Sequence, residues 1–467
     1  MFLNIEKYFQ TDNAPGKAVY FIYFAINHSS AMKHILFSVS LFFLCFSSIA
    51  QPDTAKWSAP LPHSYNFIRT AENKISNPKK LAPFFEKLHA LRRTGKGVVR
   101  VIHIGDSHLQ ADMSSSILRN GFRQYFGNAG RGIVFPYQLA RSNGAADIAA
   151  SSNITWTYNR LAHPDIAIAT GVTGFGIHAN QTQALIHMQL KPVDSVQERF
   201  DKLLFFLGKE KACYALRSPT LTQPASVYTQ TNTDTPSLIF NLNTPASEFE
   251  LSKCPGNADD TFSFYGVSME YNDRPGVIYH TIGVNGAEYD QFTRNGLFWE
   301  QLRALNGELF IVALGTNEAQ NMNFNEDSFI MKCNAFLSQV HQVAPGALLL
   351  ITTPAGSYYK KKAPNKIIEK VVQALTRFCN ENDLPYWDLY HISGGKAGTV
   401  AWKRNKLFSH DLVHYNIDGY QLQGHLFLNA FTGAYNDYLK TGTERKKTGS
   451  AKTKKPQHKS GKKQGRK

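Results

Sequence analysis

The chain has 467 residues, longer than one domain of ordinary size, so two folded units are expected. With 43% hydrophobic and 18% charged residues the bulk is globular, and the formal charge of +16 is concentrated rather than spread: residues 441–467 hold eleven Lys or Arg against the single Glu444. That location argues against nucleic-acid binding as the function, although a basic tail can bind nucleic acid non-specifically in vitro.

The first readable element is Met32-Lys33-His34, followed by the apolar run Ile35 to Phe46 and then by Ser48-Ile49-Ala50 before Gln51. That order is a secretory signal, and the apolar run is too short to span a bilayer of roughly 30 Å. Leu44 is too large for a lipoprotein cleavage position ahead of Cys45. Residues 1–50 are therefore read as an upstream extension plus signal peptide, giving a periplasmic or envelope-associated protein with no transmembrane helix in its mature form. An anchor at Ala18 to Ile26 is the weaker alternative.

Residues 80–93 form an amphipathic helix with Leu81, Phe84, Leu88 and Leu91 on one face. It leads into the strand Val99 to Ile104, which stops on Gly105-Asp106-Ser107. A serine where a buried parallel strand passes into a helix sits at the edge where α/β enzymes place their chemistry. The competing reading is that Asp106 and Ser107 only cap a helix through Gln110 to Tyr125, and on the tripeptide alone that reading is the better one. Arg131 follows in a Gly-rich loop. It is a candidate contact for an anionic substrate group, set against the commoner role of tying a loop to backbone carbonyls.

From 151 to 272 the pattern changes to short β runs separated by Pro, Asn, Asp and Gly turns, among them Ala184 to Leu190, Lys202 to Leu207, Glu248 to Lys253 and Thr261 to Tyr271. This predicts an inserted β-sandwich in which Trp156, Tyr158, Tyr228 and Phe264 are conceivable sugar platforms, against the commoner role of such aromatics as core. Beyond it the α/β pattern returns, with strands Gly276 to Thr281, Leu309 to Leu314, Ala347 to Thr353 and Leu384 to Asp388. Helices fall between them, from Asp327 to Val343 and from Lys366 to Asn380. The expected fold is a doubly wound parallel sheet assembled from residues 51–150 and 273–440 around the insert.

Chemistry-bearing residues recur at the ends of these strands. Ile282-Gly283-Val284-Asn285-Gly286-Ala287 offers a backbone N–H unshielded by a side chain at Gly286. Gly315-Thr316-Asn317-Glu318 offers an amide. Ser409-His410-Asp411-Leu412-Val413-His414 precedes a helical pattern over 418–438, and an Asp three residues ahead of a His can orient that imidazole as general base. Nucleophile, base, orienter and oxyanion donors make up an acyl-transfer site.

In this order Gly-Asp-Ser, Gly, Gly-x-Asn and Asp-x-x-His resemble the SGNH (GDSL-like) hydrolase superfamily. The resemblance implies Ser107 as nucleophile, His414 and Asp411 as base and orienter, and Ser107, Gly286 and Asn317 as the oxyanion hole. Two positions depart from the pattern: His108 stands where Leu is usual, and Glu318 where Asp is frequent. The stretches Gly105 to Asp112 and Phe126 to Gly132, with Asp411-Leu412-Val413-His414 and then Gly419-Tyr420, resemble the periplasmic branch related to peptidoglycan O-acetylesterases. The implied function is removal of O-acetyl groups from a carbohydrate polymer, peptidoglycan first. The alternatives are a lipase-like or small-ester hydrolase, an acetyltransferase, or a glycan-binding protein of the same fold.

No cofactor or metal is expected, because His410 and His414 lie in a loop without a His-Glu-x-x-His helix. The tail 441–467 is expected to be disordered, either simply solvated or touching an anionic envelope surface. With Cys45 removed, Cys213, Cys254, Cys333 and Cys379 remain. The first two form the better candidate disulfide, and free buried thiols are equally compatible with the sequence.

Overall fold

Apolar side chains alternate along the strand Val98–Gly105: Val99 and Val101 enter one hydrophobic cluster, Ile102 and Ile104 another. A strand covered on both faces is what a doubly wound sheet requires, and its neighbours alternate in the same way. Leu309 and Ile311 join the first cluster, Phe310 and Val312 the second.

The computed structural model describes residues 56–62, 65–162, 168–181, 183–193, 196–210, 212–219, 226–230, 237–254 and 260–451. These lie in one compact unit, Asp53–Lys467. The signal read at 32–50 and residues 452–467 of the tail lie outside the described residues.

In chain order the elements begin with β1 (Ile75–Ser76), α1 (Ala82–Thr94), β2 (Val98–Gly105), α2 (Ser107–Gln110), α3 (Ser115–Phe126) and β3 (Gly130–Val134). Ten strands follow: β4 (Ile148–Ser152), β5 (Thr157–Arg160), β6 (Phe175–Asn180), β7 (Leu185–Leu190), β8 (Phe200–Leu207), β9 (Ala212–Arg217), β10 (Ser226–Gln230), β11 (Leu238–Ala246), β12 (Glu248–Lys253) and β13 (Thr261–Glu270). Next come β14 (Gly276–Gly283), α4 (Tyr289–Thr293), α5 (Gly296–Leu302), β15 (Leu309–Ala313), α6 (Glu326–Val343), β16 (Leu348–Thr352) and the small hairpin β17 (Tyr358–Tyr359) and β18 (Ala363–Pro364). The chain closes with α7 (Lys366–Glu381), β19 (Tyr386–Trp387), α8 (Leu389–Ile392), α9 (Gly395–Arg404) and α10 (Ile417–Ala451).

The main sheet has the order β1-β19-β16-β15-β2-β14, parallel apart from β1 against β19. Buried faces of α1, α3 and α10 pack on one side, those of α6 and α7 on the other. Phe84, Leu88 and Leu91 of α1 are buried, as their helical spacing requires. The register matters most: Gly105 pairs with Gly283 on one side and Ala313 on the other, so β14, β2 and β15 end level with one another.

The crossover from β2 to β14 is interrupted by antiparallel structure. One sheet runs β10-β9-β12-β7-β4, and a second runs β11-β8-β13-β6-β5 with β3 against β13. Phe249 of the first meets Phe205 of the second with ring centroids 5.2 Å apart, which places the two sheets face to face. Trp156 and Phe264 are buried. Antiparallel pairing thus begins at Gly130, ahead of residue 151. It reaches the chain through glycines: Gly127 (φ +102) lies against the Pro275 carbonyl, and a Cβ on Gly276 would come within 2.4 Å of Gly127.

Cys213 and Cys254 form a disulfide with Cα atoms 5.3 Å apart, while Cys333 and Cys379 are free and buried. Expected disorder from 441 onward is corrected by α10, which continues through Ala451. The physical reason is propagation: a helix already nucleated by its packed first turns extends cheaply, and Glu, Arg, Lys and Ala are good helix formers. No helix among the described residues is long and apolar enough to cross a membrane.

Candidate active site

At Gly105 the chain has no room for a side chain, since a Cβ there would lie 2.6 Å from Leu109 Cδ1 and 2.7 Å from the Ala313 carbonyl oxygen. The strand can therefore turn tightly into α2. Buried Asp106 is the N-cap, its Oδ1 accepting the His108 N–H at 2.9 Å. Both readings of the tripeptide hold at once: Asp106 caps, and Ser107, next in line, is left at the sheet edge.

His414 arrives from the loop before α10. Phe408 and Tyr415 bridge across its base, the Ser409 N–H donates to the His414 carbonyl at 2.8 Å, and Leu412 sits at φ 61. Asp411 accepts the backbone N–H groups of Val413 and His414, both at 2.9 Å, and its Oδ2 lies 2.6 Å from His414 Nδ1. Burial alone would raise the Asp411 carboxyl, but the bonds from His414 and from the two backbone N–H groups outweigh it and bring the pKa down to about 2. An ionised carboxylate can only accept, so Nδ1 carries the imidazole proton and Nε2 is left as acceptor. Nε2 lies 2.7 Å from Ser107 Oγ. Ser107, His414 and Asp411 thus form one continuous hydrogen-bonded chain across 307 positions of sequence.

Gly286 and Asn317 meet the same edge. Gly286 has φ +85, the left-handed region that glycine tolerates best, in the turn after β14. That turn is held from α2, because Gln110 Oε1 accepts the Asn285 N–H at 2.7 Å while Gln110 Nε2 donates to Ser142 Oγ and to the Asn143 carbonyl. Asn317 Nδ2 donates to the Ala287 carbonyl at 2.9 Å, which uses one amide hydrogen and leaves the other. One residue further on, Glu318 Oε1 accepts the Tyr289 N–H at 2.9 Å. Residues 317 and 318 therefore clamp the turn that carries Gly286 at two successive points.

Glu318 is 5% exposed, and burial pushes its carboxyl up to about 8 against the pull of the backbone N–H groups it accepts; Glu288 and Asp106 add to the rise. Gln110 and Glu318 are the supporting residues that sequence motifs did not assign a role. The departure from Asp at position 318 was the one visible signal.

His108 packs beside the triad, its ring centroid 5.2 Å from that of His414 and its Nδ1 3.0 Å from Tyr420 Oη. Burial lowers its pKa, so it is a neutral neighbour of the His414 imidazole. His410 Nδ1 faces the Lys361 ammonium at 3.1 Å, a contact with a donor rather than with a metal-binding partner. Among the described residues no group of three or more His, Cys, Asp or Glu could hold a metal ion.

Arg131 requires a correction. Its guanidinium is 2% exposed and pairs with Asp112 at 2.7 Å and with Asp147, and Arg119 completes the array through Asp112. Burial opposes the charge, yet the two carboxylates hold the guanidinium above its ordinary pKa. Its donors lock β3 to the loop after α2, and the substrate-binding assignment is withdrawn. Removing either sign would strand a buried charge, which typically costs about 3–5 kcal/mol.

A mostly apolar cavity lies behind the nucleophile turn, lined by Leu109, Leu118, Trp387, Leu389 and Phe427. Asp106 and His108, on either side of Ser107, and Thr316, directly before Asn317, also line it.

Residues 256–422 match the GDSL-like Lipase/Acylhydrolase family. The match includes Gly286, Asn317, Asp411 and His414 but starts after Ser107, which only the geometry brings to them. That segment carries a GDSL-like Lipase/Acylhydrolase domain, which supports a carboxylic ester hydrolase. Among solved structures it is similar to "Peptidoglycan O-acetylesterase in action, 5 min", with a TM-score of 0.66 at 17% identity, over 78% of this chain and 99% of that one. A lipase/acylhydrolase from Enterococcus faecalis overlaps far less, with a TM-score of 0.28 at 16% identity, over 34% of this chain and 77% of that one. For an acetylxylan esterase from Geobacillus stearothermophilus the TM-score is 0.27 at 12% identity, over 33% and 73%. No curated protein matches the chain.

Proposed function

We propose that this chain is an exported serine esterase that removes O-acetyl groups from a carbohydrate polymer, with peptidoglycan as the substrate. The observation that carries the chemistry is the relay from Ser107 Oγ to His414 Nε2 at 2.7 Å and from His414 Nδ1 to Asp411 Oδ2 at 2.6 Å. The likeness in fold to a peptidoglycan O-acetylesterase supports the substrate class, and the pattern at residues 32–50 supports export.

In this mechanism Ser107 Oγ attacks the acetyl carbonyl as His414 Nε2 takes its proton. Asp411 holds the imidazole in the required tautomer and offsets the positive charge it gains. The tetrahedral oxyanion is stabilised by the N–H groups of Ser107 and Gly286 and by the second amide hydrogen of Asn317. Collapse expels the sugar hydroxyl, which takes the proton from His414. Water, activated by the same imidazole, then cleaves the acetyl-enzyme to acetate. The basic tail would bring the enzyme to an anionic envelope surface.

Acetate release from O-acetylated peptidoglycan, acetyl-xylan and a long-chain ester, with Ser107→Ala as control, tests this reading. Release from acetylated peptidoglycan that is abolished by the substitution is the expected result. Preference for the long-chain ester, or release that survives Ser107→Ala, overturns it.

A further inference from the structure

We infer that the cleft beside the oxyanion donors, between Glu288 and the loop 321–325, is a subsite for one uncharged sugar ring of the polymer; this deepens the glycan-esterase reading and rests on it.

The position follows from the clamp described above. Glu288 stands two residues after Gly286, and Glu318 directly follows Asn317. Both residues line a cavity of about 170 Å³. A ligand in it lies against Glu288 and Glu318, the near neighbours in sequence of the residues proposed to hold the oxyanion.

The lining is polar and mixed in kind. Asn321, Asn323, Ser328 and Lys332 face the cavity with Glu288, and Phe324 contributes an aromatic edge. Asn321 Oδ1 is occupied by the Asn323 N–H at 2.9 Å, which turns its amide nitrogen outward as a donor. Amides and a hydroxyl donate and accept, an ammonium donates and a carboxylate accepts, which is the inventory that successive sugar hydroxyls need.

Charge argues for a neutral ligand. Lys332 lies 3.8 Å from Glu288 and 3.8 Å from Asp290, so its cation is already balanced. Glu318 in the floor is protonated at neutral pH because burial raises its carboxyl to about 8. Neither an anion nor a cation is favoured over a polyhydroxyl ring.

The test uses the full chain carrying Ser107→Ala, titrated calorimetrically with triacetylchitotriose and with xylotriose. The parent should bind at least one of them, and the preferred sugar identifies the ring. Adding Asn323→Ala and Lys332→Ala, whose side chains are on the surface, should weaken binding about 10-fold, since each lost hydrogen bond contributes about 0.5–1.5 kcal/mol. The melting temperature reports whether the variant folds, and a sugar soaked into crystals should occupy this cleft. Unchanged affinity in the folded variant, a sugar seated elsewhere, or no binding of either trisaccharide at millimolar concentration overturns the subsite. Acetate release by the Ser107 enzyme is followed separately. Its absence would overturn the esterase reading, whereas loss of the subsite alone would leave acetate release from acetylated polymers in place.

Discussion

Glu318→Gln isolates what a protonated buried carboxyl does beside an oxyanion hole. In the folded chain the Glu318 pKa is raised to about 8 from an ordinary 4.5, so between those values the folded state holds a proton that the unfolded chain has released. Where the unfolded state binds fewer protons, stability falls as pH rises. The stabilising contribution is complete below 4.5 and is lost as pH climbs toward 8. At 1.36 kcal/mol per pH unit the interval corresponds to about 5 kcal/mol, an upper figure because water can enter near the adjoining cavity.

Glutamine keeps a carbonyl for the Tyr289 N–H but does not titrate. Its extra N–H needs an acceptor, so the variant should be less stable than the parent at pH 5 by about 1–3 kcal/mol. Urea unfolding from pH 5 to 9 should then show the parent's advantage over the variant shrinking as pH rises, with the two curves converging or crossing; the buried His103 and His280, neutral in the folded chain, shape both curves alike. The rate should follow. As Glu318 ionises, an anion appears beside the oxyanion donors, so the parent should lose turnover above pH 8 while Glu318→Gln retains it. Parallel stability curves together with identical alkaline limbs would refute the reasoning.

Three further outcomes are expected. Asn317→Ala removes one oxyanion donor and should lower kcat by about 100- to 1000-fold with little change in KM; an unchanged kcat would take Asn317 out of that role. Asp411→Asn keeps the loop but loses the acceptor that sets the His414 tautomer, so kcat should drop by about 10⁴-fold, as seen for such replacements in other serine hydrolases, with the melting temperature nearly unchanged. Replacing Cys213 and Cys254 by serine opens a loop spanning 41 residues and should lower stability by about 4 kcal/mol in the chain-entropy treatment. A loss below about 1 kcal/mol in urea would mean that the β sheets already restrain these two strands in the unfolded ensemble.

The parallel sheet was legible because its central strands are largely apolar and buried on both faces, and such runs end abruptly where the chain turns. The hydrogen-bonded chain of Ser107, His414 and Asp411 was legible for a related reason: Gly-Asp-Ser and Asp-x-x-His are each assembled within a few residues, so local sequence holds most of their geometry. Strands β3, β6 and β9 were not readable. Gly130-Arg131-Gly132 looks like a loop, and Phe175-Gly176-Ile177-His178 breaks its alternation with a glycine; both become strands only because β13 lies alongside. Arg131 was misread for the same reason, since its partners Asp112 and Asp147 are identified by space and not by spacing. Tertiary context decides such cases.

The level endings of β14, β2 and β15 explain why a long β-rich segment can interrupt this site without dispersing it. The Gly286 turn, the Ser107 turn and the Asn317 turn are neighbours through ladder pairs Gly283 with Gly105 and Ala313 with Gly105. Their spacing depends on the register of three strands and not on the length of chain between them. The interruption leaves at Gly127 and returns at Gly276, where two backbones without side chains touch, so its ends are already together. Loop-closure entropy grows only slowly with length, and joined ends remove most of the remainder. It follows that an alanine at Gly276, which would press within 2.4 Å of Gly127, should disturb the catalytic register more than substitutions at the exposed edge of the antiparallel sheets.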